Sequence, residues 1–330
     1  MNWKGLSVAV TGAGGFIGSH LVEELARRGA HVRALVHYNH RNHWGYLEGL
    51  SADLRKRVEV RAGDVQDSHF MLDFARGQEV MFHLAALIPI PYSYVAPSSF
   101  VATNVQGTLN VLQACRAHGT GRIVHTSTSE VYGTAVYAPI DEKHPLQGQS
   151  PYSASKIGAD MLAESFHCSF DLPVSIARPF NTYGPRQSAR AVIPAAIAQL
   201  AAGLPRIRLG DLSPIRDFNY VADTVDGFIA IASSKRAIGE TINLGSGRGV
   251  SIGDTIAMIK RAMSLNTPVV RDRARIRPKH SEVYRLICDN RKARRLTDWR
   301  PRHRLEDGLA ATVKYVRERL SDFKPDIYNL

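Results

Sequence analysis

Residues 6–28 limit the possible folds more than any other stretch. Leu6–Val10 is a short apolar run, and Thr11-Gly12-Ala13-Gly14-Gly15-Phe16-Ile17-Gly18 follows it directly. Residues 16–28 then carry apolar side chains at Ile17, Leu21, Val22 and Leu25, the spacing of one helix face. A strand, a glycine turn and a helix in that order open a βαβ unit. Gly12 permits the tight turn, Gly15 lets another group approach the backbone, and Gly18 lets helix and sheet pack closely. The helix start presents unpaired N–H groups, which suit a pyrophosphate. The context therefore predicts a dinucleotide across this turn, touching Gly12, Gly15, Phe16, Ile17 and Gly18.

The alternation continues. His31–Val36, Val58–Arg61 and Val80–Leu84 read as further strands, residues 103–117 as a helix, and Arg122-Ile123-Val124 as the next strand. Strands alternating with helices imply right-handed βαβ units and a parallel sheet with helices on both faces. Strands buried on both faces should be short continuous apolar runs, as these are. Pro173–Ala177 and Thr241–Leu244 extend the same sheet. The expected fold is α/β, a Rossmann-type doubly wound parallel sheet with a smaller discontinuous substrate-binding domain over the strand ends. Residues 1–177 and 217–245 would form the dinucleotide-binding domain, and 178–216 and 246–330 the smaller one. At 330 residues the chain is long enough to bury such a core.

Composition narrows the function classes. Hydrophobic content of 44% and charged content of 22% are those of a soluble globular protein. No apolar run reaches the roughly 18 residues that span a bilayer. The start, MNWKGLSVAV, lacks a signal-peptide pattern, so the cytoplasm is the expected location and no membrane partner is expected. Cys115, Cys168 and Cys288 are far apart and form no CxxC, which suggests neither zinc nor disulfides. The thirteen histidines show no metal-ligand spacing, and no metal is expected. The net charge of +12 is uneven: thirteen Lys/Arg stand against four Asp/Glu between Arg271 and Arg304. These are interleaved with strand and helix residues rather than forming a tail. That favours attraction of an anionic small substrate and a solvated surface over nucleic acid.

The end of the second strand often separates NAD from NADP, through a carboxylate that accepts from the ribose 2′-hydroxyl. Here Val36-His37 holds that place, Tyr38 and Arg41 follow, and no carboxylate stands near in the sequence. His37 and Arg41 are the candidates to meet the adenosine ribose, with NAD and NADP both open. Asp64-Val65, after the third strand, is placed to reach the adenine edge.

The chemistry should lie in two later stretches. RIVHTSTSEVYG (122–133) ends a strand in four hydroxyls and a carboxylate, which a half-buried strand does not need. YSASK (152–156) begins a helix running to about Phe170. Tyr152 and Lys156 are four residues apart and share a helix face. A cation beside a phenol lowers its pKa, which would make Tyr152 a general base near neutral pH.

Together TGAGGFIG, HLAA (83–86), TNVQGT (103–108), STSEVYG (127–133), YSASK and RPFNTYGPRQ (178–187) make the chain resemble an extended short-chain dehydrogenase/reductase of the NAD-dependent epimerase/dehydratase family. The resemblance runs on through GSG (245–247) and Trp299-Arg300-Pro301. It implies a nucleotide-diphosphate sugar as substrate and NAD, or else NADP, as cofactor. Leu84, Ala85 and Ala86 would contact the cofactor along with Tyr152 and Lys156. It also implies a homodimer, or a tetramer, built through residues 103–117 and 152–170. Thr128 matches the position that hydrogen-bonds the sugar 4-hydroxyl beside Tyr152. The next pair, Ser129-Glu130, departs from the Asp-Glu of dTDP-glucose 4,6-dehydratases. It is similar to the pair in GDP-mannose 4,6-dehydratases and UDP-glucuronate decarboxylases, whereas simple 4-epimerases usually lack the Glu. HYNHRNHWGYLEGL (37–50), HLAALIPIPYSY (83–94) and PIDEKHPLQGQSPYSASKIGAD (139–160) look most like dehydratases acting on UDP- or GDP-N-acetylglucosamine.

On that resemblance Tyr152, assisted by Thr128, would take the C4 hydroxyl proton. Glu130 would take the C5 proton and, with Ser129 as relay, protonate the departing C6 hydroxyl. Arg186, Arg216 and Arg277 are the candidates for the diphosphate, because guanidinium groups bind phosphate oxygens bidentately. Asn181 matches a family position on the phosphate or sugar, and Val192 would line the base pocket. A 4-epimerase or a UDP-glucuronate decarboxylase is the alternative on this scaffold. A non-catalytic dinucleotide sensor is the alternative of another class, but such relatives usually lose the Tyr or Lys present here.

Overall fold

The structure is a computed structural model that describes residues 1–329. Twelve strands follow along the described chain: β1 (Ser7–Thr11), β2 (His31–His37), β3 (Val58–Gly63), β4 (Val80–His83), β5 (Arg122–Thr126), β6 (Val174–Pro179), β7 (Asn181–Tyr183), β8 (Ile207–Leu209), β9 (Ile215–Tyr220), β10 (Thr241–Leu244), β11 (Gly249–Ser251) and β12 (Val269–Arg271). Seven form one sheet in the order β10-β6-β5-β4-β1-β2-β3. All its pairings are parallel. The order reverses beside β1, where ligands of such sheets bind at the carboxyl ends of the strands.

Strand alternation explains why both faces are covered. Val8, Val10, Phe82 and Val124 point into one apolar cluster with Leu21, Val22 and Leu25 of the Phe16–Arg27 helix and Phe228 and Ile231 of the Val221–Ser233 helix. Their chain neighbours Ala9, Met81 and Ile123 point into the other, with Phe74, Val111 and Leu112. Successive strand residues face opposite sides, so an apolar run buries both.

The rest of the chain builds a third apolar cluster around the two small sheets. β11, β9 and β7 pair in one small sheet, and β12 pairs with β8. The helices Val192–Ala201, Ile252–Met263 and Leu305–Glu318 close this core with Ile197, Ile256, Ile259 and Val313. Three edges differ from the sequence-based division. Residues 178–179 complete β6, and 217–220 belong to β9 in the small sheet. Ala293 of the Arg291–Thr297 helix and Trp299 join the first core, although residues 246–330 read as one piece. Both side chains find apolar partners on the sheet, which a linear division cannot register. Among the described residues, no helix is long and apolar enough to cross a membrane.

Candidate active site

The glycine turn is built by contact as much as by conformation. Gly12 has φ +68°, and a Cβ there would lie 2.8 Å from the Ala85 nitrogen. A Cβ on Gly18 would lie 2.2 Å from the Gly12 carbonyl oxygen, so helix and turn can approach only as glycines. Gly15 differs, because a Cβ there would meet only the Gly12 oxygen at 3.3 Å. The space in front of Gly15 is thus left for something other than protein, as a pyrophosphate on the helix N-terminus requires. Phe16 and Ile17 open that helix.

A relay of hydroxyls and one imidazole fixes the turn against β4. The Thr11 hydroxyl accepts from the N–H groups of Leu84 and Ala85, at 3.1 Å each. It therefore gives its proton to Nδ1 of His83 at 2.8 Å. His83 Nε2 in turn donates to the Thr108 hydroxyl at 3.0 Å, and Thr108 donates to the Asn104 carbonyl at 2.6 Å. Burial, with His125 and Lys156 nearby, holds His83 well below the usual imidazole pKa, so the ring is neutral. Leu84-Ala85-Ala86 thus line the strand end facing Gly12.

At the far edge His37, the last residue of β2, and Arg41, in the loop after it, are exposed. A carboxylate does stand there in space. Asp64 follows β3, and its Oδ2 lies 3.8 Å from His37 Nδ1. The neighbouring strand supplies what the sequence of β2 lacks, because His37 is in register with Gly63. Val65 behind it is buried.

Tyr152 sits in the first turn of the Pro151–Phe170 helix, whose Ser150 N-cap forms a capping box with Ser153. Thr128 caps the short turn Ser129–Tyr132 after β5, with its hydroxyl accepting from the Glu130 N–H at 3.2 Å. One expectation fails here. Burial pushes the Tyr152 phenol up, and the Thr128 hydroxyl, not Lys156, is the group that draws it down. The Lys156 ammonium instead donates to the Thr126 carbonyl at 2.6 Å. Burial takes Lys156 down to about 8, with Asp160 pulling the other way.

Beneath these two residues lies a buried polar network. Asp160 accepts from the Ser127 hydroxyl at 2.6 Å, Arg178 Nη2 at 2.8 Å and His125 Nε2 at 3.2 Å. Arg178 Nη1 also donates to the Tyr132 hydroxyl at 2.8 Å, which donates to Asn243 at 2.8 Å. Burial works to raise the Asp160 carboxyl, but His125, Arg178 and Lys156 hold it below the usual carboxylate range. The network explains part of the hydroxyl run: Ser127 anchors the strand end while Thr128 faces Tyr152. Ser129 is buried behind them.

A cavity, the candidate for the substrate, opens beside the small sheet. Its volume is ≈ 270 Å³, and Asn181, Gln187, Val192, Arg216, Arg277 and Glu282 line it. Asn181 Oδ1 and Gln187 Oε1 are buried without a hydrogen-bond partner among the described residues, and so is Arg277 Nη1. The charged groups alternate in a row. Arg216 Nη2 meets Glu282 at 3.1 Å, and Arg277 Nη1 lies 3.8 Å from both Glu282 and Glu130. Burial works against the Arg277 charge, and the two carboxylates more than offset it. Arg277 thus joins the cavity to the Thr128–Glu130 turn.

Arg186 is a correction. It does not line the cavity; its guanidinium bonds Glu23 at 2.7 Å and Ser19 at 3.3 Å on the first helix. The backbone at Arg186, with φ +70°, turns the side chain towards that helix. Sequence reasoning also missed three residues. Asp160 had a legible signal, since it lies four and eight residues beyond Lys156 and Tyr152 on one helix face. Glu282 and Tyr328, which lines the cavity with Arg275 stacked on its ring, had none.

Known proteins resemble this chain over nearly its whole length. The family described as GDP-mannose 4,6 dehydratase matches residues 9–312. A dTDP-glucose 4,6-dehydratase of Streptomyces antibioticus is 32% identical over 97% of this chain and 95% of its own. A UDP-glucose 4-epimerase of Mycolicibacterium smegmatis is 33% identical over 94% of this chain and 98% of its own. The crystal structure of DesIV, a dTDP-glucose 4,6-dehydratase from Streptomyces venezuelae with NAD bound, superposes with TM-score 0.85 at 30% identity, covering 97% of this chain and 99% of that one. The turn, the Tyr–Lys helix and these likenesses over nearly the whole length place the chain in the GDP-mannose 4,6-dehydratase family of extended short-chain dehydrogenase/reductases.

Proposed function

We propose that this protein is a nucleotide-sugar 4,6-dehydratase, acting on a nucleotide-activated N-acetylglucosamine to give the 4-keto-6-deoxy sugar. The observation that carries this reading is Glu130. It follows Thr128 and Ser129 in a tight turn, is 12% exposed, and faces the cavity through Arg277 at 3.8 Å. A plain 4-epimerase has no step that needs a carboxylate there.

NAD fits the residues present: Gly15 leaves room for its pyrophosphate, and Asp64 offers a carboxylate to a ribose hydroxyl. When bound, the nicotinamide would accept the C4 hydrogen with its electron pair and return it at C6. The chain's own groups handle the protons. Tyr152 takes the proton of the C4 hydroxyl, with Thr128 holding that hydroxyl in line. Thr128, which draws the phenol down, would be joined by the positive nicotinamide in offsetting its burial. The 4-keto group acidifies C5–H, and Glu130 removes that proton. The same carboxyl then protonates the leaving C6 hydroxyl, with Ser129 as relay. Arg216 and Arg277 hold the diphosphate, and Asn181 offers its free Oδ1 to the sugar or ribose.

The product distinguishes the possibilities. The purified protein is incubated separately with UDP-GlcNAc, GDP-GlcNAc, GDP-mannose, dTDP-glucose and UDP-glucuronate, and products are read by mass. Loss of one water from a GlcNAc nucleotide is expected. Unchanged mass with inverted C4 would establish an epimerase instead, and loss of carbon dioxide a decarboxylase. We further propose a homodimer through the Gly107–Ala117 and Pro151–Phe170 helices, beside which Val101, Met161 and Phe170 are exposed. Sedimentation of Met161→Glu should then give a monomer, and a dimer that survives the charge would place the interface elsewhere.

A further inference from the structure

The basic stretch between Arg271 and Arg304 is not accounted for by the substrate. Of its thirteen Lys/Arg, Arg275 and Arg277 line the substrate cavity. Four others, Arg291, Arg294, Arg302 and Arg304, converge with Arg248 on a second cleft of ≈ 1090 Å³. Phe218 is the one lining residue that the two cavities share.

The five arginines are not equivalent. Arg291 is taken up by Asp289 through both its Nε and Nη2, and Arg304 lies 3.7 Å from Glu306. Arg248, Arg294 and Arg302 have no carboxylate within ion-pair distance and no side-chain hydrogen bond among the described residues. Three free guanidinium forks around one concavity match the oxygens of a diphosphate or triphosphate. Small-molecule sites commonly measure about 300–1,000 Å³, so the cleft is large enough. Tyr137, 43% exposed and packed on His144 at 4.7 Å between ring centres, lines the same cleft.

The floor of the cleft is tied to the substrate arginine. Asp217 accepts from the N–H groups of Ser246 and Gly247 at 2.8 Å each, and from Cys288 N–H at 3.0 Å. Its neighbour Arg216 lines the substrate cavity and bonds Glu282. β11 pairs with β9 at this point, with Val250 opposite Arg216 and Gly249 opposite Asp217. A shift in the Ser246–Arg248 loop therefore acts on the strand that aims Arg216.

We propose that this cleft binds a phosphate-rich small anion, carrying two or more phosphoryl charges, and that its occupancy alters the set of Arg216 in the substrate cavity. The second half rests on the dehydratase reading, and the first does not. Inorganic pyrophosphate is titrated calorimetrically at fixed ionic strength into protein saturated with NAD, so that the glycine turn is already filled. Wild type should bind two equivalents, one per cavity, and Arg216→Gln/Arg277→Gln should keep only the cleft equivalent. The exposed triple variant Arg248→Ser/Arg294→Ser/Arg302→Ser should lose that equivalent or bind it roughly tenfold or more weakly. UDP titrated into the Arg216→Gln/Arg277→Gln protein separates the sources. Tighter binding than pyrophosphate assigns the cleft to a nucleotide, and equal binding assigns it to the phosphates alone. A triple variant that still binds two equivalents overturns the site, as does a wild type that binds one or none. At saturating nucleotide sugar, where the substrate cavity is full, pyrophosphate should change kcat of wild type and leave the triple variant unaffected. An unchanged wild-type kcat overturns the coupling. A GlcNAc nucleotide that fails as substrate would overturn the dehydratase reading while leaving the calorimetric result standing.

Discussion

Asp160→Asn should damage stability and shift the pH dependence of catalysis together. Asp160 is fully buried and is the carboxylate faced by both Arg178 and Lys156, themselves buried. Asn keeps the shape and one acceptor but leaves two interior cations without a counter-charge. Breaking a buried pair from one side costs about 3–5 kcal/mol. At about 2 °C per kcal/mol for a chain of this size, Tm should fall by roughly 6–10 °C at neutral pH. The second effect follows from linkage. Lys156 is already lowered to about 8, and Asp160 is what opposes the burial. Between that value and its ordinary one, the unfolded chain holds a proton that the folded chain has released. The penalty of burying this lysine therefore eases as pH rises through that window. Removing Asp160 lowers the Lys156 pKa further, so the window starts at lower pH. If charged Lys156 is needed for turnover, wild-type activity should decline above about pH 8. In the variant that alkaline limb should move to lower pH, because the carboxylate that opposes the burial is gone. Thermal denaturation and a pH–rate profile of kcat/KM measure both. A variant with Tm within about 2 °C of wild type and an unmoved alkaline limb would refute the reasoning.

Glu130→Gln should leave C4 oxidation intact, visible as absorbance of the reduced cofactor on adding substrate, while slowing dehydration by about 10²–10⁴-fold. Near wild-type product formation would remove Glu130 from the mechanism. Gly18→Ala and Gly15→Ala should separate folding from binding. The first puts a methyl 2.2 Å from a carbonyl oxygen and should lower Tm by several degrees; the second should spare Tm and weaken NAD binding. Equal Tm losses would contradict the contacts described. Arg277→Gln should raise KM for the nucleotide sugar, whereas Arg186→Gln, which loses only Glu23 and Ser19, should leave KM within about twofold of wild type. A KM increase in the Arg186 variant would return that residue to the substrate site.

The sheet was legible because its physics is local. Buried parallel strands must be apolar runs, and β1, β2, β4, β5 and β10 lie within a residue or so of where those runs stand. The glycine turn and the Tyr152–Lys156 pair were legible because one strand-to-helix step and one helical turn fix them. Long-range contacts were less so. Nothing in VHYNHR signals that Asp64 stands beside His37, since the contact comes from strand register. Nothing in GPRQ shows that Arg186 turns back to Glu23. The Tyr152–Lys156 spacing gave proximity but not where the ammonium would go, and it goes to the Thr126 carbonyl. Glu282 was invisible because a carboxylate between two arginines is defined by three segments at once.

That alternating row bears on how the two ends of a substrate are read together. Arg277 Nη1 stands equally far from Glu130 and Glu282 and bonds neither. A donor in that position goes to the next good acceptor that arrives. On the proposed function the arriving acceptor is the diphosphate, so capture of the remote, unreactive end releases the carboxylate that works on the sugar. Substrate fragments should show this. A sugar 1-phosphate, lacking the second phosphoryl group and the nucleoside, would leave the guanidinium shared and should lose kcat as well as affinity, because part of the intact molecule's binding is spent on readying the base.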